Sequence, residues 1–127
     1  FDTAQKHLSQ GGLFLFDFWY DQSVLTQRPE VRVKRLQDDN IKVIRIAEPV
    51  IHSSQNVVDV NYTVFINNKK TNRIEEIHET HKMRYFSLHE LECFWKSFFE
   101  DVSAFGWMTD CPPDSSVWAG FQKLKRI

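Results

Sequence analysis

The sequence predicts an α+β fold, and three features predict it. Leu13 to Phe18 is a strand apolar on both faces, and it falls within the first twenty residues. Between about residues 31 and 86, alternating apolar and polar residues broken by turn signals read as an antiparallel meander of about four strands. A capped helix and two further strands then close the chain. The 127 residues suffice for one domain, 1–127, with a sizeable core.

Each element has its local reason. Phe1 to Leu8 reads as a helix tail with Ala4 and Leu8 on one face. Gly11 or Gly12 supplies the left-handed residue that ends it. Strands like Leu13–Phe18 belong inside parallel sheets covered on both sides. No strand precedes this one, so the chain reads as the back half of an α/β enzyme. Residues 19–30 are loop or short helix, closing near Pro29.

Val31–Leu36, the turn Asp38-Asp39-Asn40 and Ile41–Ala47 form a hairpin. Pro49 marks a bend or an edge. In Val57–Ile66 one parity is apolar (Val58, Val60, Tyr62, Val64, Ile66) and the other wet, Phe65 excepted. A loop over 67–72 leads to a strand over Ile74–Phe86. Ser87-Leu88-His89-Glu90 is a capping box. The spacing of Leu88, Leu91, Phe94, Trp95 and Phe98 predicts one long helix to about Glu100, with Phe94, Trp95, Phe98 and Phe99 in the core. Val102–Met108 is a strand, Asp110–Ser115 a loop, and Val117–Leu124 the last strand.

Composition excludes several function classes. Lys plus Arg is 16 against 17 for Asp plus Glu, which argues against binding nucleic acid or a membrane surface through bulk charge. No apolar run approaches a membrane span. Cys93 and Cys111 have no metal-type spacing, and they fit a reducing cytoplasm better than a disulfide scaffold. Phe alone numbers 11, and aromatic side chains both fill cores and line small-molecule pockets.

The order of elements resembles the C-terminal half of class I S-adenosylmethionine-dependent methyltransferases. The resemblance rests on Leu8-Ser9-Gln10-Gly11-Gly12 before the first strand and on Asp17-Phe18-Trp19-Tyr20 at its end. It rests also on Glu79-Thr80-His81-Lys82-Met83-Arg84-Tyr85-Phe86-Ser87, which closes an inserted antiparallel sheet. The same arrangement looks like the amino-sugar N-methyltransferases that act on nucleotide sugars. The resemblance implies a partial Rossmann-like sheet, formed by the last strands of that family, with residues 19–86 as an inserted lid or substrate sheet. It implies S-adenosylmethionine as cofactor of the intact enzyme and a small-molecule acceptor. The family's glycine-rich strand-to-helix turn has no counterpart among Gly11, Gly12, Gly106 and Gly120. This chain alone is therefore expected neither to bind the cofactor well nor to transfer methyl groups.

Ligands of open α/β sheets sit beyond the carboxyl ends of the strands. Asp17, Trp19 and Tyr20 lie at that end, as an acceptor wall with Asp17 orienting a polar group, or else as packing. Arg84 could hold a phosphate or carboxylate, or form a structural ion pair; Tyr85 is grouped with it as substrate-binding. His81 is the weak candidate for a general base, and a satisfied strand histidine is the stronger reading. His78 and His81 point to opposite faces of a strand and cannot readily share a metal, so none is expected. The leading function is thus the substrate and lid portion of a methyltransferase. The alternative is a free-standing ligand-binding or dimerisation module. The apolar edge at Leu13–Phe18 predicts a homodimer, with the inserted sheet as a second surface, as in the sugar-methylating enzymes.

Overall fold

The structure, a computed structural model, describes residues 1–113 and 119–127. Two compact units emerge. Phe1–Arg28 and Tyr85–Ile127 form one, and Pro29–Arg84 the other.

In the first unit, α1 (Asp2–His7) leads through a glycine turn into β1 (Leu13–Tyr20), followed by α2 (Asp21–Gln27). After Tyr85 and Phe86 come α3 (Leu88–Trp95), β6 (Phe99–Gly106) and β7 (Ala119–Arg126). β1 pairs antiparallel with β7 from Leu13↔Lys125 to Trp19↔Ala119. β7 pairs antiparallel with β6 from Phe99↔Arg126 to Gly106↔Gly120. On its other side, among the described residues, β1 meets only Tyr85 and Phe86, in parallel, through Trp19 and Tyr20.

Strand alternation sends Phe14, Phe16, Phe18 and Tyr20 to one face. Phe18, Tyr20, Leu91, Trp95, Phe99 and Leu124 form the buried core there, with Phe1, Ala4, Leu8, Phe14, Phe16, Phe86, Leu88 and Phe98 packed against it. The Phe14 and Phe16 rings stack at 5.3 Å, and Phe1 meets both edge-on at 6.0 and 5.2 Å. Fully burying one such side chain stabilises by about 1.5–3 kcal/mol. Arg126 fastens the turn before β1: its N–H donates to Gly12 O at 2.9 Å and its O accepts from Gly11 N at 3.0 Å. Its guanidinium donates to Leu8 O as well.

Several expectations need correction. β1 is not covered on both faces: Leu13 and Leu15, on the face away from the core, are 53% and 61% exposed. Nor is it embedded in a parallel sheet, since its long pairing is antiparallel. The helix after Ser87 is short. Ser87 Oγ caps it, accepting from Glu90 N at 3.0 Å, but it stops at Trp95 and the chain turns at Phe98 to begin β6 at Phe99. Phe98 and Phe99 continue the helical spacing in sequence, yet Phe99 opens a strand paired to Arg126. Phe94 is 45% exposed and is not core. Gly11 does adopt a left-handed φ of 75°, but three residues beyond Leu8, the extended cap of α1. β6 spans Phe99–Gly106 rather than Val102–Met108. The expected start of the last strand at Val117, and the end of the loop before it, lie outside the described residues.

The second unit is the expected meander: β2 (Arg32–Gln37), β3 (Ile41–His52), β4 (Val57–Asn68) and β5 (Arg73–Phe86, through Arg84). All three pairings are antiparallel. Asp38 closes the first turn, its Oδ1 accepting from Asn40 N and Ile41 N at 2.7 Å each. These two amide bonds hold its carboxyl below the usual carboxylate range. Pro49 lies where β2 no longer flanks β3, because β2 reaches only to Ala47. Its missing N–H therefore leaves no gap in a ladder. Asn56 and Asn72 take left-handed φ values of 54° at the two later turns. β4 is one-sided only at its start: Val58 and Val60 are buried, whereas from Asn61 to Asn67 both parities are half-exposed.

Gly120 lies opposite Phe18, and a Cβ there would sit 2.7 Å from the Phe18 ring and 3.2 Å from Phe105 O. Gly120→Ala is expected to destabilise the fold by about 1–3 kcal/mol, the usual cost of overpacking. Urea unfolding compared with wild type measures it.

Candidate functional site

The carboxyl end of β1 gathers the sequence-predicted residues of the first unit, and strand geometry divides them. Trp19 is register partner of Tyr85, and Tyr20 of Phe86. Asp17, Trp19 and Tyr85 therefore share the face away from the aromatic core, while Tyr20 and Phe86 share the core face. Tyr20 is buried and meets Phe18 edge-on at 6.4 Å; Phe86 does the same with Phe94 at 6.4 Å. Tyr20 is thus core, the packing alternative. Asp17 is exposed and Trp19 half-buried, so these two can meet a ligand.

Tyr85 is 1% exposed, and its hydroxyl has no hydrogen-bond partner. Burial pushes its phenol above the ordinary value, and the carboxylate of Asp21, which opens α2, adds to the shift. Asp21 Oδ1 accepts from Gln22 N at 2.7 Å, so its charge is held at the helix start. The result is a neutral, unpartnered hydroxyl on the strand position beside Trp19.

The same face carries a concavity of about 680 Å³ nearer the start of β1, lined by Leu13, Leu15, Phe105, Met108, Thr109, Asp110 and Lys123. Leu15 and Trp19 are about 13 Å apart along the strand at its usual rise. This hollow is therefore separate from the Asp17–Trp19 end.

His81 and Arg84 belong to the second unit. His81 Nε2 bonds Glu79 Oε2 at 3.1 Å, with both side chains more than half exposed. Its ring meets Tyr62 edge-on at 5.0 Å, and Arg45 lies 5.2 Å over the opposite partner of that contact, the Tyr62 ring. His78 is on the other face, 3.3 Å from Thr63 Oγ1 and 2.9 Å from Glu76. Arg84 is exposed, stands opposite Val57 and is itself engaged.

One pair escaped the sequence reading. His52 Nε2 lies 3.0 Å from Asp59 Oδ2, with side chains 39% and 22% exposed, and Asp59 Oδ1 is buried without a partner. Seven residues separate the two in sequence, and only the register of the β3–β4 hairpin (His52↔Val57, Val50↔Asp59) makes them diagonal neighbours. Among the described residues no group of three or more His, Cys, Asp or Glu could hold a metal ion. No helix there is long and apolar enough to cross a membrane.

No family model matches the sequence, and no curated protein does. Solved structures do. A S-adenosylmethionine-dependent methyltransferase from Clostridium acetobutylicum is 17% identical with a TM-score of 0.75, covering 96% of this chain and 47% of its own. CalS10 from Micromonospora echinaspora, an amino pentose methyltransferase of calicheamicin biosynthesis solved with SAM bound, is 16% identical at TM-score 0.70, with 97% and 47% covered. The sugar N-methyltransferase KedS8 from Streptoalloteichus is 12% identical at 0.71, with 97% and 46% covered. The likeness is one of fold, and it is the fold that the sequence resemblance implies. The chain spans about half the length of these structures.

The Tyr85 phenol is expected to ionise above the ordinary tyrosine value in a spectrophotometric titration, and its signal is identified by loss in Tyr85→Phe. Because its folded pKa is raised, its contribution to stability is complete below about pH 10 and is lost as pH rises through the folded value. The stability difference between wild type and Tyr85→Phe therefore shifts against wild type only in alkali.

Proposed function

We propose that this chain is the acceptor-side part of a S-adenosylmethionine-dependent methyltransferase acting on a small molecule. In this reading residues 1–127 form one domain. β1, β6 and β7 are its Rossmann-like strands, and residues 19–86 are an inserted lid. The observation that carries the reading is the fold likeness to such enzymes along nearly the whole chain. The shared face of Asp17, Trp19 and Tyr85 at a strand's carboxyl end supports it, because that is where ligands of open α/β sheets bind. We read the partners as a small-molecule acceptor and a second copy of the chain. Two free, exposed cysteines fit a reducing cytoplasm.

When bound, S-adenosylmethionine supplies an electrophilic methyl group. The described residues do not fit it. A cofactor of this size is cradled by backbone that glycines let come close. Here Gly11 turns a helix into a strand, Gly106 and Gly120 sit in paired strands, and the space beside Gly120 holds the Phe18 ring. The cofactor site is therefore assigned to sequence outside this chain. What remains for the chain is to position the acceptor. Trp19 offers an aromatic surface, Tyr85 lies buried beside it, and Asp17 accepts a hydrogen bond from a polar group of the acceptor. Alignment of nucleophile with methyl group is the main demand of such a transfer, and a base makes at most a modest contribution. Arg84 and His81 are secondary in this reading: Arg84 is already engaged, and His81 is tied to Glu79 in an exposed pair.

Calorimetry with S-adenosylmethionine is expected to detect no micromolar binding by the 127-residue chain. A ligand-observed NMR screen of sugar amines, small acids and hydroxyl compounds is expected to give binders. Their binding should be lost in Trp19→Ala, weakened several-fold in Asp17→Asn and kept in Tyr20→Phe. Micromolar cofactor binding, or acceptor binding indifferent to Trp19, overturns the proposal.

A further inference from the structure

β1 and β6 both run antiparallel to β7, so they run parallel to each other, and their carboxyl ends meet the same rim of the first unit's sheet. There Trp19 of β1 stands opposite Ala119 of β7. On the far side of β7, Trp107 follows the last residue of β6 and continues its ladder, its N–H donating to Ala119 O at 2.8 Å. The row across the sheet is therefore Trp19, Ala119, Trp107. Phe105 and Asp17 pair with the same residue of β7 and so share the face away from the core, and alternation returns Trp107 and Trp19 to that face. Neither tryptophan belongs to the aromatic core, and Trp107 is 43% exposed. The turn that carries Trp107 is braced: Gly106 N donates to Cys111 O at 2.7 Å, and Thr109 N and Oγ1 donate to Gly106 O at 3.2 and 3.3 Å. Met108 within it has a left-handed φ of 56°. Residues other than glycine avoid that conformation, and it recurs at ligand clamps.

We infer that Trp19 and Trp107 hold one planar ring of the acceptor between them, over Ala119, while Asp17 accepts a hydrogen bond from an O–H or N–H group on that ring. This slot deepens the acceptor-positioning reading and rests on it. Neighbouring strands are about 4.8 Å apart, so the backbones of the two tryptophans are about 10 Å apart with β7 between them. A flat ring touched on both faces needs about 7 Å between the rings that cover it, at about 3.5 Å per contact. One ring fits there, and two do not. Ala119 supplies a low floor, where a longer side chain would rise into the space between its neighbours. Asp17 lies two residues before Trp19, about 7 Å along the strand, so a substituent on the edge of the ring can reach it. A puckered saturated ring carries hydrogens on both faces, is thicker, and gains no ring stacking from the indoles. The slot therefore selects an aromatic or heteroaromatic acceptor bearing a hydroxyl or amino group over a saturated one of the same size.

Saturation-transfer NMR on the 127-residue chain tests it with 2-naphthol and its saturated counterpart decahydro-2-naphthol, each an uncharged alcohol at neutral pH. 2-Naphthol should bind about tenfold more tightly, the worth of two ring-stacking contacts. Trp107→Ala, with circular dichroism and thermal melting like wild type, should lose that preference, and Trp107→Phe should keep most of it. Ala119→Leu, which fills the slot, should abolish 2-naphthol binding. Equal affinity for the two alcohols overturns the inference. So does a preference unchanged in Trp107→Ala, or 2-naphthol binding unchanged in Ala119→Leu. Any of these results leaves the acceptor reading standing as long as binding is lost in Trp19→Ala. 2-Naphthol that does not bind at all also overturns the slot, and the screen of sugar amines, small acids and hydroxyl compounds then decides the wider reading.

Discussion

The pairing of β1 with β7 is the constraint on which the first unit depends. Side-chain direction in a strand has a period of two, so a slip of one residue would exchange the core face of β1 for its open face. Phe14, Phe16, Phe18 and Tyr20 would leave the aromatic cluster, and Asp17 would enter it. Gly120 guards against this slip. It is the residue opposite Phe18, and no residue with a Cβ leaves room for the ring there. At the other end of the strand, both backbone groups of Arg126 grip Gly11 and Gly12. The register is thus held at its two ends by glycines, one giving space and the other giving a left-handed turn.

That register also decides what the carboxyl end of β1 can do. It puts Trp19 and Asp17 on the face away from the aromatic core and turns Tyr20 inward. It sets Tyr85 beside Trp19, buried, where the phenol loses water and gains no partner. A buried hydroxyl without a hydrogen bond costs about 1–3 kcal/mol.

Much of the fold was legible in the sequence because local chemistry decides it. Ser87 and Glu90 mark a helix start whatever surrounds them, and the alternation in 31–86 is enough to give four antiparallel strands. Three features were not legible in that way. The end of α3 was hidden because Phe98 and Phe99 satisfy helical spacing and also strand alternation, and pairing with β7 decided between them. The open face of β1 was hidden because Leu13 and Leu15 show which surroundings they favour, not what covers them. The His52–Asp59 pair was hidden because a diagonal contact across a hairpin needs the register first. Of the candidate residues, Asp17 and Trp19 lie on the open face at the strand end where the sequence placed them. Tyr20 takes the packing alternative, as strand alternation favours, since neighbours in a strand point opposite ways.

The two units differ in how their residues are drawn from the chain. Pro29–Arg84 is continuous, and its strands join through successive hairpins, so it can take shape as it leaves the ribosome. The other unit must wait, since the long antiparallel partner of β1 is made about a hundred residues later. At about 5–20 residues per second that delay is on the order of ten seconds. Throughout it, Leu13-Phe14-Leu15-Phe16 lacks its pairing with β7, and nascent-chain chaperones have that interval in which to find it.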